Sequence, residues 1–372
     1  MAQFVGARRA LAEERMHTAL QTGLDQGERV LQATLAAQPV DQLAFAHRLK
    51  FGFSPGATPA DERELLDQVL TMSTVGDYAH RWTIHPHARQ QLAEGVGVPS
   101  QYVDRLAGGD DWQKTLLADI LTRSYEQQPV EQRHLVRSIP DGNGNLEIRG
   151  FLSDKFRRLD SRPILQAFVE AASAAGARPF RARSSDIRTS MQIILPMLRE
   201  PIEGEFVALG LEWSNSDFGS GAHLLRSFIL RLLCTNGMTG ETHARQVHLG
   251  ARLGDDISYS DETYRLDTAA TVSATRDTVA NLLTPDKINQ QLDKIAAAGN
   301  AEGSFGAITK QLTKEEQRRA KELFEGEDVQ NLPAGNTAWR AANVLSWMAQ
   351  SKDVAAERRG ELERLGGQLL AA

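Results

Sequence analysis

Arg149, Lys155, Arg157 and Arg158 stand close together in Arg149-Gly-Phe-Leu-Ser-Asp-Lys-Phe-Arg-Arg-Leu-Asp160, with Phe156 among them. Cations at this density can hold phosphates, and an aromatic ring between them can stack a base. The competing reading is a solvated turn whose arginines pair with Asp154 and Asp160. A second basic stretch is Arg178-Pro-Phe-Arg-Ala-Arg-Ser-Ser-Asp-Ile-Arg188. Here Arg181 and Arg183 fall on one face of any strand, because strand side chains alternate, and Arg188 follows. Residues 131–200 carry 12 Lys and Arg against 8 Asp and Glu, within a chain whose 42 basic and 48 acidic residues leave a net charge of −6. The whole chain is therefore no uniformly basic coat for nucleic acid. Its middle third nevertheless favours an anionic partner, either nucleic acid or an acidic protein surface.

Other chemistry-bearing residues give less. Glu212-Trp-Ser-Asn-Ser-Asp-Phe-Gly-Ser-Gly-Ala222 has the glycines of a tight turn, and Ser220 can cap a following helix whose free N–H groups would suit a phosphate. The Gly-Lys-Ser/Thr ending of a P-loop is absent. Cys234, the single cysteine, sits among leucines and reads as an inert buried thiol that can form no disulfide within the chain. His85-Pro-His87 and the pair His243 and His248 lack metal-ligand spacing, so no metal and no cofactor are expected. Asp154, Asp160 or Asp217 would serve a metal-dependent nuclease only if the fold paired them. No catalytic residue is assigned, and an enzyme is the lesser expectation. Residues 88–106 have the packing offsets of a helix-turn-helix, with Gln101, Tyr102 and Arg105 as groove contacts beside a repulsive Asp104. A small helical hairpin packed on the core is the favoured reading there.

The elements that would position these residues follow from periodicity. Apolar residues from Leu11 to Leu35 recur at helical spacing, and a second helix is expected to start near Thr58-Pro59. Residues 135–139 and 146–152 flank Asp141-Gly-Asn-Gly-Asn145 as strand, hairpin turn, strand. Further strands are expected at 178–183, 189–195 and 205–213, and helices at 162–175 and 222–233, the latter stopped by Asn236-Gly237. Beyond Thr271 the pattern is helical again. The reading is an α+β chain: a helical N-terminal part (1–75), a small helical segment (76–130), a mixed core with a mainly antiparallel sheet and packed helices (131–265), and a helical C-terminal part (266–372). With 41% hydrophobic and 6% aromatic residues, the composition is that of a globular chain and excludes wholesale disorder. No apolar run approaches a membrane span and the start does not read as a secretory signal, so a cytoplasmic, membrane-free protein is expected.

Several of these segments together resemble the phage- and plasmid-borne family called domain of unknown function 932. The resemblance rests on Leu135-Val-Arg137 and on residues 149–160, which are similar to the signature R-x-x-L-S-D-[KR]-[YF]-R. It continues through Asn215-Ser-Asp-Phe-Gly-Ser-Gly221, residues 232–237 and Asn336-Thr-Ala-Trp-Arg-Ala-Ala-Asn343, and residues 88–106 look like the family's N-terminal part. It spans residues 75–370. Phe156 stands where tyrosine is common, and Ser161 where asparagine is common. The resemblance implies a mobile-element setting and work on DNA, with no assigned activity.

The resulting expectation is a non-enzymatic nucleic-acid-binding protein, with single-stranded DNA favoured, acting in strand binding or annealing. Arg149, Lys155, Arg157, Arg158, Arg181, Arg183 and Arg188 would face phosphates on one shared basic sheet face, and Phe156 would stack a base. A homo-oligomer along the strand is the accompanying expectation. The alternatives are a protein interaction module, such as a host-factor inhibitor or a phage assembly component, and the metal-dependent nuclease.

Overall fold

The computed structural model describes residues 2–55, 68–75, 77–140, 145–234, 236–246, 259–326 and 332–370. The expected helix start at Thr58-Pro59 and the turn residues 141–144 lie outside them. The fold is α+β, as the sequence pattern predicts, with two six-stranded sheets at its centre.

The first sheet comprises β1 (Val40–Phe45), β2 (Leu49–Pro55), β3 (Gln68–Thr74), β4 (Asp77–Ile84), β5 (Arg133–Pro140) and β6 (Leu146–Ser153), in the order β1-β5-β6-β4-β3-β2. All pairs are antiparallel except β4 with β6. Its two edge strands would lie roughly 24 Å apart in a flat sheet. Yet only Ala46–Arg48, in a 3-10 turn, join them. Such a turn advances about 2 Å per residue, so the sheet curls until its edges converge. The turn continues both adjoining ladders, Ala46 N–H donating to Gln132 O beside β5 and Val75 N–H to Arg48 O beside β3, each at 2.9 Å. Three helices fill the concavity: α2 (Pro86–Gly95), α3 (Ser100–Ala107) and α4 (Asp111–Glu126). Their Leu92, Val103, Leu106, Leu117, Leu121 and Tyr125 form one core with Leu49, Met72, Val136 and Phe151 of the sheet.

The N-terminal part is thus helical only through α1 (Ala2–Ala36). The strands that follow belong to the same sheet as residues 133–153. The expected boundaries near residues 75 and 130 therefore cut through one packed unit.

The second sheet is an antiparallel meander of β7 (Arg178–Ser184), β8 (Thr189–Ile194), β10 (Glu205–Asn215), β11 (His223–Arg231) and β12 (Asn236–Gln246), with short β9 (Arg199–Ile202) beside β10. One face packs Met191, Ile193, Leu211, Trp213 and Leu225 into the largest core. That core is shared with α5 (Ser161–Ala174), α6 (Asp261–Leu282), α7 (Pro285–Asn300), α8 (Lys314–Glu325), α9 (Ala338–Met348) and α10 (Ala356–Gln368). The other face places Ile194, Phe206, Ala208, Phe228 and Leu230 under the N-terminal half of α1. The helix crosses the β7 edge at Gly23, where a Cβ would sit 2.4 Å from Pro179 O.

Residues 222–233 correct the sequence reading, for they hold strand β11 where a helix was expected. Leu225 and Ile229 are buried on one side, Phe228 and Leu230 on the other. A strand covered on both faces loses its apolar–polar alternation and imitates helical spacing. Gly219 (φ +81°) and Gly221 (φ +137°) consequently shape a strand-to-strand turn, and no helix begins there to receive a phosphate.

Candidate nucleic-acid interface

Strand β7 positions Arg181 and Arg183 as its alternation predicts. Arg183 pairs across the sheet with Ser190, Ser190 with Ser214, Ser214 with Leu224, and Leu224 with Arg245. One register line on one face thus begins and ends with arginine and spans β7 to β12, about 19 Å at ordinary strand spacing. Arg188, exposed in the β7–β8 loop, reaches over the middle of this line, its Nη2 3.4 Å from Ser214 Oγ. Arg183 and Arg245 are exposed and make no ion pair within 4 Å among the described residues. The neighbouring line runs Arg181, Gln192, Glu212, Arg226.

Helix α10 packs on the large core through Leu362, Leu365 and Leu369, and its Glu363 reaches this face. At Gly367 it touches β12, since a Cβ there would fall 1.9 Å from Thr239 O. One turn earlier, on the same side of the helix, stands Glu363. Its Oε1 is 3.5 Å from Arg181 Nη1, and Arg364 follows it. Six arginines (181, 183, 188, 226, 245 and 364) thus stand around Glu212 and Glu363, with Glu361 3.8 Å from Arg364 and Glu14 of α1 beside Arg181 and Arg183.

The electrostatics match this excess. Burial lowers Arg226 below the ordinary arginine value; Glu212 opposes the shift, and the charges of Arg364, Arg188 and Arg245 add to it. Arg181 is lowered by burial as well, against the pull of Glu363. Burial, together with the like charge of Glu212, pushes Glu363 up to about 7, although Arg181 and Arg183 resist. Glu212 Oε2 accepts from Gln192 Nε2 (2.9 Å) and Thr239 Oγ1 (3.0 Å). Gln192 Oε1 and Arg226 Nε are buried without a hydrogen-bond partner among the described residues. Beside this face, Arg15, Thr18, Thr22 and Gln26 of α1 line an open groove of about 530 Å³ with Arg181 and Arg183.

The stretch 149–158 does not join this face, which corrects the expectation of a single shared one. Phe156 is only 7% exposed and lies beneath the turn at Gly219, so its ring is closed to a base. Arg157 binds Asp267 of α6 through both nitrogens, and Arg158 pairs with Asp261 (3.1 Å) and Asp41 (3.5 Å) while lying 4.7 Å over the Tyr264 ring. Arg149 is held by Glu147 at 2.8 Å and donates to Asp186 O at 3.2 Å. Lys155 is half-buried in the turn after β6, its N–H donating to Ser153 Oγ. The solvated-turn reading had named Asp154 and Asp160 as partners. The carboxylates that pair with Arg149, Arg157 and Arg158 come instead from Glu147, Asp41 and α6.

Sequence reasoning missed Arg226, Arg245, Arg364 and Glu363. Arg226 was hidden by the helical reading of β11. Arg245 and Arg364 carry no local motif, and only the strand register and the path of α10 bring them in.

A second polar constellation joins the two sheets. Arg137 of β5, 1% exposed, donates to Asp41 Oδ1 (2.7 Å), Asp160 Oδ1 (2.5 Å) and Asp217 O (2.8 Å). Burial opposes its charge, but Asp160, Asp41 and Asp217 hold it above the ordinary value. Asp217 Oδ1 accepts from Ser161 N–H and Oγ, each at 2.7 Å, and from Asn215 Nδ2 at 3.3 Å. Asp217 thereby caps the start of α5, while Asp160 at the N-cap position makes no capping hydrogen bond with its own side chain. Burial drives the Asp217 carboxyl up to about 6, against the pull of Arg137. Asp154 is elsewhere, 3.6 Å from Arg133. No group of three or more His, Cys, Asp or Glu among the described residues could hold a metal ion.

The helix-turn-helix segment packs as a hairpin. Gln91 Nε2 and His87 Nε2 of α2 lie 2.8 and 3.0 Å from Phe218 O, and Asp104 of α3 accepts from Arg89 at 2.7 Å. Cys234 is half-buried, with Arg231 Nη1 3.2 Å from its sulfur. Among the described residues no helix is long and apolar enough to cross a membrane. Searches of family models, curated proteins and solved structures find no match to this chain.

Proposed function

We propose that the chain binds the phosphate backbone of nucleic acid across the second sheet, without chemistry on it, in the cytoplasmic DNA metabolism of a mobile element. The carrying observation is the register line from Arg183 to Arg245 with Arg188 over its centre, a row of exposed cations backed by Arg181, Arg226 and Arg364. Arg181, Arg183, Arg226 and Arg245 stand on sheet strands and not on a helix able to enter a duplex groove, which favours an unpaired strand. With Phe156 buried, affinity would come from phosphates and be tolerant of sequence. The setting is an expectation from the motif resemblance read in residues 75–370, and copies side by side along a strand would suit such a role.

The test is fluorescence anisotropy with labelled oligothymidylate over a salt series. Each phosphate contact on a single strand contributes about −0.7 to the slope of log affinity against log salt. Replacing Arg183 and Arg245 together by Ala is expected to flatten that slope by about 1.4 while leaving the melting temperature in place. An unchanged slope, or no binding at about 50 mM salt, would reject the reading.

A protein interaction module is the second reading. It is favoured by Trp112 (65% exposed), Leu116 and Tyr102, apolar side chains exposed on α3 and α4.

A further inference from the structure

Glu363 is a carboxylate 6% exposed in the midst of a cationic face. The groups facing it come from several elements. Strand β7 brings Arg181 and Arg183, and β10 brings Glu212. Glu212 is in turn held by Gln192 of β8 and Thr239 of β12, with Arg226 of β11 at 3.9 Å. On its own helix Glu361 and Arg364 flank it, 3.8 Å from each other. Helix α9, packed on α10, turns its one charged side chain, Arg340, to the carbonyls of Leu323, Phe324, Gly326 and Pro333. Among the described residues the cations that act on Glu363 are arginines, and the one paired with it, Arg181, also lines the groove beside α1.

We propose that Glu363 is an internal counter-ion operated by a proton: as a carboxylate it occupies Arg181, within the field of Arg183, and once protonated it leaves the Arg181 guanidinium group to a phosphate of the bound strand. This rests on the phosphate-binding reading of the same face. The proton comes from solvent and stays on the carboxyl while the strand is bound. Arrival of a phosphate adds negative charge beside a carboxylate already disfavoured by burial and by Glu212, so binding takes up a proton. By linkage, lower pH then tightens binding, by as much as about tenfold per pH unit where one proton is fully coupled.

The experiment measures anisotropy of rhodamine-labelled oligothymidylate with the full chain between about pH 6 and pH 8, at fixed salt. The wild type is expected to tighten several-fold as the pH falls. Glu363→Gln mimics the protonated carboxyl and is expected to bind at the upper pH as the wild type does at the lower, with no slope between them. Glu212→Gln leaves α10 untouched; it removes the like charge, and the tightening should move to lower pH. Melting curves confirm that each variant is folded. A Glu363→Gln protein that keeps the wild-type pH dependence, or a Glu212→Gln protein whose tightening stays in place, overturns the switch alone. Absence of binding by every protein at every pH overturns the phosphate-binding reading, and the switch with it.

Discussion

Arg157 and Asp267 form a two-point ion pair, Nε to Oδ2 and Nη2 to Oδ1, both at 2.5 Å, that ties the turn after β6 to α6 across 110 residues. Its neighbour Arg158 does the same work through Asp261, Asp41 and Tyr264. The densest basic motif of the chain therefore fastens helices and is not a phosphate clamp.

Replacing Arg157 and Arg158 together by Ala should accordingly lower stability and spare binding. The pairs are partly exposed, so a loss of about 1–2 kcal/mol is expected in denaturant unfolding. The salt slope of oligonucleotide binding should match the wild type, in contrast to the Arg183 and Arg245 substitution.

Asp217 makes stability depend on pH. Its carboxyl titrates near 3.8 when free and at about 6 in the fold. A raised acid binds its proton more tightly in the folded state. The stability it contributes is thus present below pH 3.8 and lost as the pH rises through about 6. The full swing is at most about 3 kcal/mol. In Asp217→Asn, Oδ1 can still accept from Ser161 and Asn215 while the charge is gone. Denaturation midpoints should fall more steeply between those pH values in the wild type than in the variant, which keeps only the fall that the raised Glu363 carboxyl contributes. A variant with the same fall would remove Asp217 as its source.

Gly23 and Gly6 lie on one helix with opposite surroundings. A Cβ at Gly23 meets the Pro179 and Phe180 carbonyls at 2.4 and 2.6 Å, whereas nothing lies within 4 Å of one at Gly6. Gly23→Ala is expected to destabilise by about 1–3 kcal/mol by forcing α1 off β7. Gly6→Ala should stabilise by a few tenths to about 1 kcal/mol through helix propensity. Thermal melts of the two variants moving in the same direction would contradict the close crossing.

The sequence was most informative where one face of an element is wet. Helices 86–95, 100–107 and 161–174 and strand 178–184 keep their period because solvent marks the far side. Buried on both faces, β11 gave no such mark, and Arg226 was lost with it. Arg181, Arg183 and Arg188 were legible as one patch because they are close in sequence. Arg245 and Arg364 join them only through strand register and helix path. Arg158 looked like the same kind of residue, but its carboxylate partners, Asp41 and Asp261, lie 117 and 103 positions away; Arg149 is held by Glu147 two positions away and by Asp186 37 positions away. Composition can count charges; it does not say which are already neutralised.

The short link between β1 and β2 has a consequence for how the chain can be made. Among the described residues strand β1 pairs with β5 alone, and β4 is joined to β1 through β6 and β5. As the polypeptide leaves the ribosome, the first hundred residues hold three strands and a detached fourth with nothing between them. The curl closes when residues 133–153 slot into that gap. A fragment ending before Arg133 should therefore behave as an aggregation-prone intermediate, and the earliest cut that leaves this layer whole falls beyond Ser153.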